Sequence, residues 1–272
     1  NEIGLYINLP DRNMTTVNRI TIKLPGVDLQ VVRKGSGPQV LLLHGDDGPE
    51  DRLPFFDRMA EHYQVIQPIH PGFADTAIPE HFDNLQDLVF LYLDLIDHLG
   101  LKDTILLGFS MGGWAAAEIA VMSAQRFSKL VLVDSVGIKP GGPFDRDIAD
   151  VFALPPAEQA RLTWHDPSLA PDPATMTDEE LQLLAAQRVA LGFYTWEPYM
   201  HNPKLPHRLH RINIPTQLIW GESDGIVSLQ YGQALQNMIP GANMVVISKA
   251  GHAPHVEQPE EFMKNFLDFA KS

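Results

Sequence analysis

The chain has 272 residues, long enough for one large domain, or one domain with an insertion, around a sizeable core. Lys plus Arg number 20 against 34 Asp plus Glu, a net charge of −14 that argues against nucleic acid or an anionic membrane as partner and reads as an acidic soluble surface. With no cysteine there is no disulfide framework, no thiolate nucleophile and no Cys-based metal site, so nucleophilic chemistry must use oxygen or nitrogen.

The N-terminus, from Asn1 to Leu5, has neither the basic start nor the long apolar region of a signal peptide, and no apolar run approaches membrane-spanning length. The expected location is therefore cytoplasmic. From Val17 to Arg33 apolar and polar residues alternate around Pro25 and Gly26, a pair suited to the centre of a type II turn, which predicts an antiparallel hairpin. The continuous apolar run Gln39 to Leu43 predicts a strand covered on both faces, ending in His44, Gly45, Asp46 and Asp47. A helical stretch around Phe55 to His62 and a strand from Val65 to Ile69 follow, the latter running into the loop 71–76.

Residues Asn84 to Leu99 carry Leu85, Leu88, Val89, Tyr92, Leu95, Ile96 and Leu99 at helical spacing, with Asp83 placed to cap the helix and Gly100 to end it. That stripe is core packing rather than a binding face. Next comes the apolar run Ile105 to Leu107, then Gly108, Phe109, Ser110, Met111 and Gly112, then an Ala-rich helix former. G-x-S-x-G between a strand and a helix is the context of a nucleophile elbow, with Ser110 exposed on a strained turn. Side chains at Gly108 and Gly112 would collide within so tight a turn, and Gly113 lets the helix start close to the sheet.

A strand from Leu130 to Val133 continues the alternation, which predicts a doubly wound, mostly parallel sheet. The alternation then breaks. Residues 137–208 are rich in proline and poor in strand-like runs, with a helix expected from Asp178 to Leu191 and scattered aromatic residues, and read as a helical cap inserted into a core of residues 1–136 and 209–272. The α/β pattern resumes with a strand from Pro215 to Trp220, a helix from about Ser228, a strand from Met244 to Ile247 and a last helix opened by Pro259.

In open parallel sheets reactive residues sit in the loops after the strands. Three stand out: Ser110 on the elbow, Asp224 after the strand ending at Trp220, and His252 after the last strand. A serine hydroxyl needs a neighbouring base, which a neutral histidine supplies, and a carboxylate fixes that histidine's tautomer. His255 competes locally with His252, and Glu222 and Asp134 are the rivals of Asp224.

The order Ser, Asp, His in these motifs resembles the α/β-hydrolase superfamily from about Val17 to the end of the chain. The run Gly251 to Phe262 is especially similar to its bacterial esterases, lactonases and carbon–carbon-bond hydrolases. The resemblance implies a base directly after Gly251, an acid at Asp224, and an oxyanion hole from the backbone N–H groups of Met111 and Asp46. It implies a two-step reaction through an acyl-enzyme on Ser110, with no metal or organic cofactor. His44, Glu257 and Pro259 are expected to be scaffolding. Trp114, Phe193 and Trp196 are expected around the substrate, the cap's aromatic residues forming a pocket roof.

Two departures from the family pattern stand out. The loop 71–76 lacks the usual second glycine and serine, which leaves its turn open. Asp46 and Asp47 stand where relatives often carry apolar residues or glycine, and a carboxylate facing the pocket would repel an anionic substrate. The expected function is thus hydrolysis of a small or medium, largely apolar carboxylic ester or lactone, with a small-molecule substrate as partner. A carbon–carbon hydrolase of vinylogous diketones is the alternative; Arg188 is its candidate carboxylate partner, though a solvated helix position is the plainer reading. A binding protein that retains the triad is the third reading, and ester formation on a carboxylate is excluded by serine at the elbow.

Overall fold

The apolar runs become the centre of an eight-stranded sheet because strands covered by helices on both faces must be apolar on both. In the computed structural model, which describes residues 18–272, the strands are β1 (Asn18–Leu24), β2 (Val27–Lys34), β3 (Gln39–Leu43), β4 (Gln64–Pro68), β5 (Thr104–Phe109), β6 (Phe127–Val133), β7 (Thr216–Gly221) and β8 (Asn243–Ile247). Their order across the sheet is β1-β2-β4-β3-β5-β6-β7-β8. β1 and β2 form the expected hairpin about Pro25 and Gly26 and β2 joins β4 antiparallel; every other pairing is parallel. Val17, where the expected hairpin begins, and the N-terminal stretch read against a signal peptide lie outside the described residues.

The helices are α1 (Pro54–Ala60), α2 (Leu85–Leu99), α3 (Ser110–Ser123), α4 (Pro156–Thr163), α5 (Asp178–Thr195), α6 (Leu229–Met238), α7 (Pro254–Glu257) and α8 (Pro259–Lys271). α2 packs beside α3, and α1 beside α8. The predicted stripe of α2 is buried from Leu85 to Ile96, and the helix ends at Gly100 in the left-handed region. Its cap is Asn84 rather than Asp83. The Asn84 side chain accepts from Gln86 N–H and Asp87 reaches back to the Asn84 N–H, so a reciprocal capping box sets the start. In α3 every residue from Ser110 to Val121 is buried, which places this helix in the core and explains its run of alanines.

Between β6 and β7 lie α4, α5 and three single turns, Pro167–Leu169, Pro173–Thr175 and Leu209–Arg211, with no strand of the main sheet. α5 extends one turn beyond the expected end at Leu191. It is tied to the sheet loops by Tyr194 Oη donating to the Pro71 carbonyl (2.9 Å) and Gln187 Nε2 donating to the Asp47 carbonyl (3.2 Å). The loop 71–76 turns through Ala74 and Asp75, both at positive φ, and Thr76 Oγ1 closes it by donating to the Phe73 carbonyl (2.7 Å).

Candidate active site

β5 enters α3 at Ser110, whose φ of 46° is rare for a residue with a side chain. The strain is held by close backbone approach on either side. A Cβ on Gly108 would lie 2.4 Å from the Gly112 carbonyl oxygen, and a Cβ on Gly112 would lie 2.3 Å from the carbonyl oxygens of both Leu43 and His44. Glycine is therefore required at both places, and the elbow presses against the end of β3.

His252 follows β8 and meets two of the residues that the sequence singled out. Its Nε2 is 2.9 Å from Ser110 Oγ and its Nδ1 is 2.8 Å from Asp224 Oδ2. Asp224 follows β7 and is anchored through Oδ1, which accepts from the N–H groups of Ile226 (2.8 Å) and Val227 (3.0 Å). With the carboxylate on Nδ1, that nitrogen carries the proton and Nε2 is left to accept from Ser110.

The competing residues fall elsewhere. His255 packs among Phe55, Phe109 and Phe262 and pairs with Glu50 (3.4 Å), while Glu222 is exposed and accepts from Lys249 N–H. Asp134, after β6, is buried behind Asp224, at φ 43°, and accepts from Gly221 N–H (2.9 Å). Burial works against the imidazolium of His252. The charge and hydrogen bond of Asp224 lead its acidic neighbours in outweighing burial, and they raise His252 above the ordinary histidine value.

The loop holding Asp46 is braced by a neutral histidine pair. His70 N–H donates to His44 Nε2 (3.0 Å), His44 Nδ1 donates to the Gly45 carbonyl (2.7 Å), His70 Nε2 donates to the His44 carbonyl (2.8 Å), and Tyr92 Oη donates to His70 Nδ1. Burial, reinforced by its neighbour His70, keeps His44 well below the usual histidine range; burial brings His70 down to about 4. Met111 lies in the first turn of α3, where a backbone N–H has no intrahelical acceptor. Glu257 ties the histidine loop to the segment above the sheet, accepting from Gly251 N–H (2.5 Å) and Asp166 N–H (3.0 Å).

A cavity of about 330 Å³ opens onto Ser110 and His252. Val151, Leu154, Ala160, Leu184 and Met200 give it an aliphatic wall, with Trp164 beside them. The three residues expected around a substrate lie off this wall. Trp114 turns inward, its Nε1 donating to Glu118 Oε1 (3.2 Å), and Phe193 and Trp196 follow Val189 in an i, i+4, i+7 stripe that is exposed to solvent. α5 instead presents Leu184 and Arg188, one turn apart, to the cavity. Arg188 is thus part of the wall rather than solvated, bonded to Gln159 Oε1 (3.1 Å) and to the Val151 carbonyl. Asp46, Asp47 and Glu50 also line the cavity.

α4, which the sequence did not reveal, secures both functional loops. Near its C-terminus the Leu162 carbonyl accepts from Gly225 N–H (2.9 Å), and the Thr163 carbonyl accepts from His252 N–H (2.6 Å). Helix-end carbonyls lack intrahelical donors. The faint signal for α4 is Pro155 and Pro156 followed by Glu158 in the first turn.

A sheet of this order, with its connecting helices and a serine at the turn from β5 into α3, defines a class of α/β proteins. Residues 40–264 match the model of the alpha/beta hydrolase family, and the chain belongs to that family. It is 30% identical to a 2-hydroxy-6-oxononadienedioate/2-hydroxy-6-oxononatrienedioate hydrolase of Paraburkholderia phymatum, over 86% of this chain and 88% of that protein. It is 25% identical to a pimeloyl-(acyl-carrier protein) methyl ester esterase of Vibrio vulnificus, over 89% and 98% respectively. The fold is shared with the 2-hydroxy-6-oxo-6-phenylhexa-2,4-dienoate hydrolase of Rhodococcus sp. strain RHA1, at a TM-score of 0.71, 22% identity and coverage of 94% and 100%. Among the described residues, no helix is long and apolar enough to cross a membrane.

Proposed function

We propose that this protein is a serine hydrolase that cleaves a small or medium, largely apolar carboxylic ester or lactone through an acyl-enzyme on Ser110. The observation that carries the reading is the hydrogen-bonded chain Ser110, His252, Asp224 at the floor of an aliphatic-walled cavity. Ser110 attacks the carbonyl carbon as His252 Nε2 takes its proton, and Asp224 stabilises the imidazolium. The backbone N–H groups of Met111 and Asp46 receive the developing oxyanion, each worth about 3 kcal/mol. His252 then protonates the leaving group, and water activated by the same imidazole releases the acid. The scheme calls on no metal or organic cofactor and on no macromolecular partner, and a cytoplasmic location fits it. In this reading residues 137–208 are the cap that supplies the roof, set into a core of residues 1–136 and 209–272.

Asp46, Asp47 and Glu50 on the wall support a neutral substrate over an anionic one. A second reading, hydrolysis of a carbon–carbon bond in a vinylogous diketone, is supported by Arg188 on the same wall and by the activity for which the Paraburkholderia relative is named. Arg188 would then exchange its Gln159 and Val151 partners for a substrate carboxylate.

The test is a chain-length series of neutral nitrophenyl esters with a burst-phase measurement, wild type against Ser110→Ala. A burst that disappears in the variant, with turnover reduced roughly 10⁴-fold or more, is expected. Equal rates in the two proteins overturn the acyl-enzyme. For the second reading, Arg188→Ala should raise KM for a carboxylate-bearing diketone while leaving KM for neutral esters unchanged.

A further inference from the structure

Asp134 is buried at the end of β6, the neighbour of β7 in the sheet, and its Oδ1 accepts from Gly221 N–H at the end of β7, three residues before Asp224, to which it is electrostatically linked. The two groups are solvated by the protein very differently. Asp224 has three hydrogen-bond partners: the N–H groups of Ile226 and Val227 on Oδ1, and His252 Nδ1 on Oδ2. Asp134 has the Gly221 N–H on Oδ1, while its Oδ2 is buried without a partner. Two carboxylates in contact away from water cannot both be ionised at neutral pH. The proton belongs on the group with fewer donors.

We propose that Asp134 is a positioning residue held as the neutral acid, whose Oδ2–H donates to the Asp224 carboxylate and tempers its pull on His252. The orphaned Oδ2 then has a function, since a protonated oxygen facing a carboxylate is a satisfied donor. Mutual repulsion with Asp224 and burial both push the Asp134 carboxyl well above the usual carboxylate range, burial most, opposed by His252 and the Gly221 N–H. The charged groups bearing on His252 are Asp224, Asp134 and Asp46, so a neutral Asp134 leaves Asp224 and Asp46 as its anionic neighbours. Withdrawing a donor from Asp224 concentrates its charge and strengthens the imidazolium; withdrawing an anion would weaken it. The sign of the effect therefore reports the protonation state.

The proposal rests on the hydrolase reading for its consequence in catalysis, but its test does not require turnover. The His252 imidazole is titrated by nitrogen NMR in the wild type, Asp134→Asn and Asp134→Val, and the acid limb of kcat/KM is measured beside it. Asparagine keeps both the acceptor for Gly221 and a donor for Asp224, so the midpoint in Asp134→Asn should equal that of the wild type. Valine removes the donor, and the midpoint should rise by about one pH unit. A midpoint that falls in Asp134→Asn means Asp134 is ionised and overturns the proposal, as does an unmoved midpoint in Asp134→Val. Should the valine variant not fold, infrared difference spectroscopy of wild type against Asp134→Asn decides: a protonated-carboxyl stretch at neutral pH in the wild type alone is expected, and its absence refutes the proposal. Inert wild type with the expected titrations would instead sink the hydrolase reading and leave the carboxyl pair standing.

Discussion

His252 Nδ1 and Asp224 Oδ2 stand 2.8 Å apart, although one residue follows β8 and the other β7. The contact holds the imidazole with its Nε2 toward Ser110, so losing the carboxylate should leave the fold intact and reverse the tautomer. Asp224→Asn keeps an oxygen for the Ile226 and Val227 N–H groups. It should lower kcat for ester hydrolysis by about 10³–10⁴-fold while thermal unfolding shifts little. A variant with near-wild-type kcat would remove Asp224 from the mechanism.

The pH–rate profile follows from the direction in which His252 is displaced. Its pKa is raised, so as pH falls the imidazole gains its proton at a higher pH than an unperturbed histidine, whose value is about 6.5. The protonated ring cannot accept from Ser110. The acid limb of kcat/KM is therefore expected above 6.5, and replacing Asp46 by Asn, which deletes one of the raising charges, should move it toward lower pH. Steady-state rates between pH 5 and 9 check both statements.

Gly112→Ala tests the elbow as a packing device. The added methyl would stand 2.3 Å from two carbonyl oxygens of the β3 end, and both belong to backbone that cannot rotate away. A loss of about 1–3 kcal/mol or more in urea unfolding is expected, together with loss of activity as Ser110 shifts.

Substrate size should respond to the cavity wall and not to the exposed stripe of α5. Leu184→Ala enlarges the cavity and should move the best ester to a longer acyl chain, whereas Phe193→Ala and Trp196→Ala should leave the chain-length optimum where it is in the wild type. kcat/KM across the nitrophenyl ester series is the measurement.

Much of this was legible in the chain because the physics behind it is local. Apolar runs of β3, β5, β6 and β7 mark strands buried on both faces, the 3.6-residue stripe marks α2, and Gly108 and Gly112 around Ser110 mark a turn too tight for side chains. Serine, aspartate and histidine after β5, β7 and β8 were visible for the same reason: a parallel sheet delivers its loops to one edge. The cap of α2 shows how far that reaches. Asp83 and Asn84 are both good caps, and only the backbone angle at Asn84, with Asp87 reaching back, separates them.

The cavity was not legible, because it is made where distant segments meet. α5 carries aromatic and aliphatic residues on several faces, and no periodicity says which face the sheet will take. Anchoring of Tyr194 to Pro71 and Gln187 to Asp47 turns Leu184 and Arg188 inward and leaves Phe193 and Trp196 in water. The same holds for Asp134, which the sequence presents as a rival of Asp224; strand order across the sheet sets the two side by side. Sequence alone determined the sheet, the elbow and the candidate serine, aspartate and histidine, since each depends on neighbours along the chain. Tertiary structure decided the shape of the pocket and the charge around His252, since both depend on separations through space that chain order does not encode.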